Sequence, residues 1–265
     1  MILLDHGGGV QEEEVRLVDA PPDLRGLIEH VWLQIHPKGT REWRIVPDAS
    51  PHLIAAVTDA PDGAHVRPVL VGPRSRMAII DVSRRRVTIG VRFRPGSIPA
   101  LVPAPAVEFV DRAVPLDEAF NANVVRDLEV AADTPPELLV RELLRLVRRA
   151  ARMSTPAPVA GTLERVCRVR GLADALGVPE RTVHDHAVRE IGLPPKRALR
   201  ILRLHRALML ARTPDRSWAT IASMAGYADQ AHLTRELQAL VGETPSAWRA
   251  RGSAVSFKTS GCELR

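Results

Sequence analysis

One local pattern occurs twice in this chain, and the interval between its copies constrains the fold more than any other feature. The first copy reads GLADALGVPERTV (Gly171 to Val183) and the second TIASMAGYADQAHL (Thr220 to Leu233). Each sets an apolar residue and an Ala (Leu172-Ala173; Ile221-Ala222) ahead of a Gly four residues after the Ala (Gly177; Gly226). An apolar residue and a capped second helix are expected to follow. Two steeply crossing helices need a small side chain where they come closest, which Ala173 and Ala222 supply. The chain must then reverse through a left-handed residue, costing a side chain about 1–2 kcal/mol and Gly almost nothing. This predicts two helix-turn-helix units, whose second helix is shaped to enter a DNA major groove.

The turn glycines lie 49 residues apart, joined by a helical segment from Pro195 to Arg212. Pro is a good first-turn residue. Leu199, Leu202, Ala207 and Leu210 fall near helical spacing, and Leu208 and Met209 widen that face. At roughly 1.5 Å per residue the segment spans about 27 Å. Such a strut would hold two recognition helices about one DNA turn (~34 Å) apart, so that one monomer reads two successive major grooves.

These residues carry a resemblance. Residues 159–251 resemble the DNA-binding domain of AraC/XylS-type transcription regulators, through GLADALGV, GLPPKR (Gly192 to Arg197), RLHRALML (Arg203 to Leu210), IASMAGYADQ (Ile221 to Gln230) and VGETPSAWR (Val241 to Arg249). Family members usually carry aromatic residues where this chain has Ala187, Leu233 and Leu237, and a basic residue where it has Asp185. The first three swaps are apolar and leave the fold unthreatened; Asp185 bears on which bases are read.

Charge agrees with that division of the chain. Residues 155–265 hold 17 Lys+Arg against 10 Asp+Glu, while residues 1–154 hold 20 against 21. A positive C-terminal half beside a neutral N-terminal half suits phosphate binding in one half only. Since the basic residues are nearly all Arg, biased codon usage is the competing reading. No run of 18 apolar residues exists, and the N-terminus lacks the pattern of a secretion signal, so no membrane partner is expected. Cys167 and Cys262 make no disulfide framework, which fits a reducing cytoplasm. Cys167 reads as a buried core thiol and Cys262 as incidental.

The expected class is α+β. Residues 1–14 read as a disordered lead-in, and residues 15–152 as a sensor or dimerisation domain. VRLV, HVWLQI, WRIVPD, HLIAAVT, RPVLVG, MAIIDV and VTIGVRF are short strand-like runs separated by Pro, Gly and Asp, which argues for an antiparallel barrel or sandwich. PDASPHLIAAV, VGP (Val71 to Pro73) and GVRFRPG (Gly90 to Gly96) resemble the domain that precedes the AraC-type module in one branch of these regulators. That resemblance implies a cupin-like, ligand-sensing β-barrel. Helices are expected over 116–152. The last, from Pro136 to Arg152, carries Leu139, Leu143, Leu146 and Ala150 on one face, for the barrel of the same chain or for a homodimer seam. Residues 153–161 read as a linker, 162–251 as the all-helical domain and 252–265 as a disordered tail.

In the first recognition helix, starting near Pro179, Val183, Ala187 and Ile191 share the inward face. The candidate DNA contacts are Arg181, Thr182, His184, Asp185 and Arg189. Arg181 would bind guanine with two hydrogen bonds, Asp185 would accept from a cytosine amino group, and Arg189 would meet a phosphate. The other reading of Asp185 is an intrahelical pair with Arg181 or Arg189. In the second unit Leu233, Leu237 and Leu240 point inward; Gln230, Ala231, Thr234, Arg235 and Gln238 are the candidates, with His232 at the margin. Gln230 would read adenine, Arg235 the backbone, and Asp229 would cap the helix.

No catalytic constellation stands out, and no enzyme activity or cofactor is expected. His30, His36, His52 and His65 are 6, 16 and 13 residues apart, without the His-x-His of metal-binding cupins, so no metal is expected. A DNA-repair alkyltransferase would need a reactive Cys in residues 1–166, which contain none. A barrel would instead bind a small-molecule effector, with Trp32, Trp43, Arg92, Phe93 and Arg94 near the pocket. Trp32 and Trp43 also fit as ordinary core. The expected partner is double-stranded DNA; the competing reading is a small-molecule-binding protein whose helical half contacts a protein such as RNA polymerase.

Overall fold

In the computed structural model, residues 3–5, 15–36, 42–126, 128, 130–151, 158–163, 166, 169–213 and 215–250 are described. The N-terminal strands are β1 (Leu3–Asp5), β2 (Val15–Asp19), β3 (Ile28–Ile35), β4 (Glu42–Ile45) and β5 (His52–Ala60). They continue with β6 (Gly63–Val66), β7 (Val69–Val71), β8 (Ala78–Asp81), β9 (Arg85–Phe93) and, after helix α1 (Ile98–Leu101), β10 (Ala113–Pro115). Helices α2 (Leu116–Ala119), α3 (Ala122–Val125) and α4 (Pro136–Ala150) complete this half. The C-terminal half holds α5 (Pro158–Leu163), α6 (Val169–Leu176), α7 (Glu180–Glu190) and α8 (Pro195–Leu210). It ends with α9 (Trp218–Ala225), α10 (Gln230–Val241) and α11 (Pro245–Ala250).

Alternation along β9 shows how the N-terminal core is divided. Ile89, Val91 and Phe93 enter a cluster with Leu53, Leu70 and the inward residues of α4. Gly90, on the opposite face, lies against Trp32, where an added Cβ would sit 2.1 Å from the indole. The two faces are covered differently. Helices cover one, with Leu139, Leu143, Leu146, Val147 and Ala150 of α4 all buried. A small sheet covers the other, and Trp32, Trp43, Ile45 and Val82 fill the space between. The apolar face of α4 is thus taken up by its own sheet.

All seven strand-like runs form strands, and β1, β6 and β10 add to them. The expected closed cupin-like barrel is not what the hydrogen bonding gives. Strands pair in two antiparallel sheets, β1-β4-β8 and β10-β7-β5-β9-β3-β2, with β6 joining β5. Among the described residues these sheets meet through side chains around Trp32 and Trp43, and no ladder joins them. The lead-in also departs from expectation, because Leu3–Asp5 pairs with Asp5↔Trp43 through Leu3↔Ile45 on β4. Helix over 116–131 shortens to α2 and α3, and part of the expected linker is helix α5. Cys167, Cys262 and the tail from 251 onward lie outside the described residues.

Helix α8 ends two residues before Arg212, and its burial is wider than one stripe. Ala198, Ile201 and Leu204 are buried as well as Leu199, Ala207, Leu208 and Leu210, whereas Leu202 is half-buried and Met209 exposed. The helix packs on several sides at once. Leu199 and Ile201 join the cluster of α6 and α7, Leu204 and Leu208 join α10, and Ala207 and Leu210 join α9.

The two halves dock closely. Val46 enters the cluster of Leu204, Leu208 and Leu237, and Ala49 enters that of Leu172, Val183 and Ala187. At the end of α7, Gly192 adopts φ +84° with the Ala106 carbonyl oxygen 2.7 Å from where a Cβ would stand. Gly177 has φ +65° with open space around it. Gly177→Ala should therefore cost the backbone penalty alone, about 1–2 kcal/mol. Gly192→Ala adds a clash with the docked domain and should lower the urea midpoint further; equal losses would contradict this packing.

Candidate nucleic-acid interface

Both turns close with the same pair of backbone hydrogen bonds. In the first, Val178 N donates to Ala173 O at 3.1 Å and Gly177 N to Asp174 O at 3.3 Å. In the second, Tyr227 N donates to Ala222 O at 2.9 Å and Gly226 N to Ser223 O at 3.1 Å. This is the Schellman arrangement, which needs a left-handed residue after the helix. Gly177 at φ +65° and Gly226 at φ +86° supply it. Ala173 and Ala222 are buried at the helix contacts. The recognition helices start differently. Asp229 caps α10 by accepting from His232 N at 2.6 Å, whereas α7 follows Pro179 with no side-chain cap.

Burial sorts the side chains of these helices cleanly. Val183, Ala187 and Ile191 are buried in the first unit, and Leu233, Leu237 and Leu240 in the second. Arg181, His184, Asp185 and Arg189 are exposed, and Thr182 is half-buried. Gln230, Ala231, Arg235 and Gln238 are exposed, with Thr234 half-buried. Asp185 Oδ1 lies 3.6 Å from His184 Nδ1, its neighbour in sequence. Thr234 Oγ1 donates to Gln230 O at 2.9 Å, and Gln238 Nε2 to Gly242 O at 3.3 Å. Docking of the N-terminal domain leaves both outward faces open to solvent.

That docking rests on residues 46–50, a segment whose sequence gave no hint of this role. Its underside is an ionic cluster of buried Asp48, Arg92 and His52, with the exposed Glu29 at its edge. Arg92 donates from Nη1 to Asp48 Oδ2, from Nη2 to Asp48 Oδ1 at 3.1 Å, and from Nε to Glu29 Oε2 at 2.7 Å. Ser50 N donates to Asp48 Oδ1 at 3.0 Å, and His52 Nε2 lies 3.3 Å from Asp48 Oδ2. Backbone bonds between Asp48 and Arg74 tie the segment to the next loop. From the helical side, His205 Nε2 donates to Pro47 O, Arg197 Nη2 to Ser75 O, and Arg44 Nη1 reaches Glu243 Oε1 at 2.7 Å.

Burial alone would raise the carboxyl pKa values here, but the Arg92 guanidinium overrides it. Asp48 is held well below the usual carboxylate range, and Glu29 is lowered to about 2. For the histidines burial dominates and disfavours the charged ring. His52 and His36 fall to about 3 and His30 to about 4. His205 is lowered for the same reason. His52 Nε2 lies 3.3 Å from both Asp48 Oδ2 and Arg92 Nη1, so the ring nitrogen faces the ion pair itself.

The five residues expected near an effector pocket do not converge. Trp32 and Trp43 share one cluster, with the Trp43 ring 4.2 Å from that of His36. Phe93 lies on the other face of the sheet. Arg92 is taken by Asp48 and Glu29, and Arg94 Nε donates to Arg25 O at 2.9 Å. Among the described residues no three His, Cys, Asp or Glu side chains meet as a metal site, and no helix is long and apolar enough to cross a membrane.

Comparison with known proteins follows the same division of the chain. Residues 172–251 match a family described as a helix-turn-helix domain, and residues 17–115 match a domain of unknown function (DUF6597). The HTH-type transcriptional activator RhaS of Pectobacterium atrosepticum is 33% identical over 79 residues, 30% of this chain and 28% of that protein. RhaS of Citrobacter koseri is 30% identical over 124 residues, 42% of this chain and 44% of the relative. The chain thus spans less than half the length of these curated relatives. Among solved structures, the DNA-binding domain of AdpA in complex with a target DNA is 27% identical, covering 35% of this chain and 86% of that one, with TM-score 0.33. ToxT from Vibrio cholerae is 9% identical, covering 83% and 98%, with TM-score 0.45.

The buried histidines set a pH dependence. Unfolded, each would bind a proton near pH 6.5; folded, each stays neutral to about pH 3 or 4. Stability is therefore full above about pH 6.5 and falls as pH drops, by up to about 1.4 kcal/mol per pH unit for each histidine. The lowered carboxylates keep their contribution above their unfolded values near 4 and lose it only as pH falls through the folded ones. Urea midpoints should be lower at pH 5 than at pH 7.5; a flat profile would mean the rings are charged in place.

Proposed function

We propose that this chain, whose residues 172–251 match a helix-turn-helix domain, is a sequence-specific DNA-binding transcription regulator of the AraC/XylS type. The observation that carries this reading is the duplicated turn. Two Schellman-closed glycine turns on one connecting helix each present a recognition helix whose outward side is polar and exposed while its inner side is buried. A packing module would need only the inner sides.

Arg181, His184 and Asp185 are assigned to base edges in one major groove, and Gln230, Ala231 and Thr234 to the next. Thr182, Arg189, Arg235 and Gln238 are assigned to the flanking backbone, with base contacts specifying and phosphate contacts positioning. This function is binding and requires no reaction. The N-terminal unit, two packed antiparallel sheets, is read as a sensor for a small-molecule effector, in a cytoplasmic protein. An effector there would act through unequal affinity for two arrangements of the domains, and the segment 46–50 is the connection it would use. A homodimer seam must lie elsewhere than the apolar face of α4, which the same chain covers. A contact with RNA polymerase would add to DNA binding and not replace it.

Selection from a random DNA pool tests the reading: recovered sequences should share two half-sites centred one helical turn apart. Weak retention without sequence preference would overturn it. On the selected site, Arg181→Ala should cost roughly 1–3 kcal/mol and relax discrimination at one base pair. An equal loss on every sequence would make Arg181 a phosphate residue.

A further inference from the structure

Helix α8 meets the N-terminal domain on one side only. Arg197 and His205 donate to its carbonyls, and Leu204 and Leu208 pack with Val46. At about 100° per residue, Lys196, Arg200 and Arg203 fall within about 60° of one another, on the side of the helix next to the docked one. There they line an open cleft of about 520 Å³ with Leu199 of the same helix and His232 and Glu236 of α10. The cleft runs between the two helix-turn-helix units and opens beside the outward side of α10.

Its charge is unbalanced. Lys196 is exposed. Arg200 donates from Nε and Nη2 to the two Glu236 oxygens, each at 2.9 Å. Arg203 lies over the Tyr227 ring at 5.4 Å and so is committed to packing. One carboxylate thus faces a row of cations on the body that joins the two recognition helices. When two such helices occupy successive major grooves on one side of a duplex, the minor groove lies between them, bordered by phosphates of both strands. The connecting body faces those phosphates whatever the base sequence.

We infer that this cleft seats the DNA backbone along the intervening minor groove, with Lys196 and Arg200 holding phosphodiester oxygens. Glu236 keeps Arg200 extended across the cleft in the free protein and shares it with phosphate in the complex. The inference rests on the DNA-binding reading above and adds a sequence-independent anchor midway between the two base-reading helices.

Salt titration of the full chain on its selected duplex tests it. Lys196→Gln should weaken binding to specific and unrelated DNA by the same several-fold factor, and should flatten the slope of log K against log salt by about one unit. Lys196→Arg should retain the slope. Neutral methylphosphonates placed at the central minor groove should weaken the parent protein more than Lys196→Gln. A Lys196→Gln slope equal to the parent's, with the same response to methylphosphonates, would overturn the seat while leaving specific binding intact. A parent chain that shows no sequence preference would instead sink the regulator reading.

Discussion

Among the described residues, helix α8 packs against α6, α7, α9 and α10, and holds the C-terminal half together. Leu199 and Ile201 fix the first helix-turn-helix unit, Ala207 and Leu210 fix α9, and Leu204 and Leu208 fix α10. Fully burying a Leu or Ile side chain contributes roughly 1.5–3 kcal/mol. Each unit is therefore attached by several such contacts and not by a tether. The rod to which α7 and α10 are attached is 16 residues long, about 24 Å at 1.5 Å per residue. Small shifts in either unit are opposed by close packing, which responds in discrete rearrangements and not by gradual bending.

The same rod is where the N-terminal domain takes hold. Val46 and Ala49 reach two different helical clusters from one short segment, so that segment touches both halves of the helical domain at once. Its shape depends on Asp48, a carboxylate buried to 3% exposure and held by Arg92, Ser50 N and His52. A buried ion pair of this kind adds little net stability, yet removing one partner is costly because the other is left uncompensated. Loss of either Asp48 or Arg92 therefore leaves an uncompensated charge beneath the segment. Arg92 is on the same face of β9 as Gly90, and its bonds to Asp48 tie that strand to segment 46–50, from which Pro47 O reaches His205 on α8.

Much of this was legible in the sequence where the determining chemistry is local. The repeated glycine four residues after a buried alanine predicts a left-handed turn, and Gly177 and Gly226 both adopt one. Strand alternation was equally readable, as β9 illustrates. What could not be read were pairings across long sequence distances. Asp48 and Arg92 are 44 residues apart, and Arg197 and the Ser75 carbonyl 122. Without them Arg92 reads as a pocket anchor, and spacing alone draws the apolar face of α8 through Leu202 and Met209 without Ile201 and Leu204. Closure of the sheet was overestimated for a related reason: whether two ladders join edge to edge or meet face to face depends on bulky residues such as Trp32 and Trp43, and alternation is the same in both cases. The row Lys196, Arg200 and Arg203 was visible at helical spacing, but only the docking of the adjoining side identifies which face of α8 remains open.

The central claim is that a rigid rod, and not a flexible connection, sets the distance between two base-reading helices. Binding to duplexes in which the half-site spacing is varied one base pair at a time measures this directly. A rigid rod predicts a single sharp optimum, with loss of specific affinity after insertion of half a helical turn and no recovery after a full turn (about 10.5 base pairs). Recovery at the full-turn insertion, or indifference to spacing throughout, would contradict it.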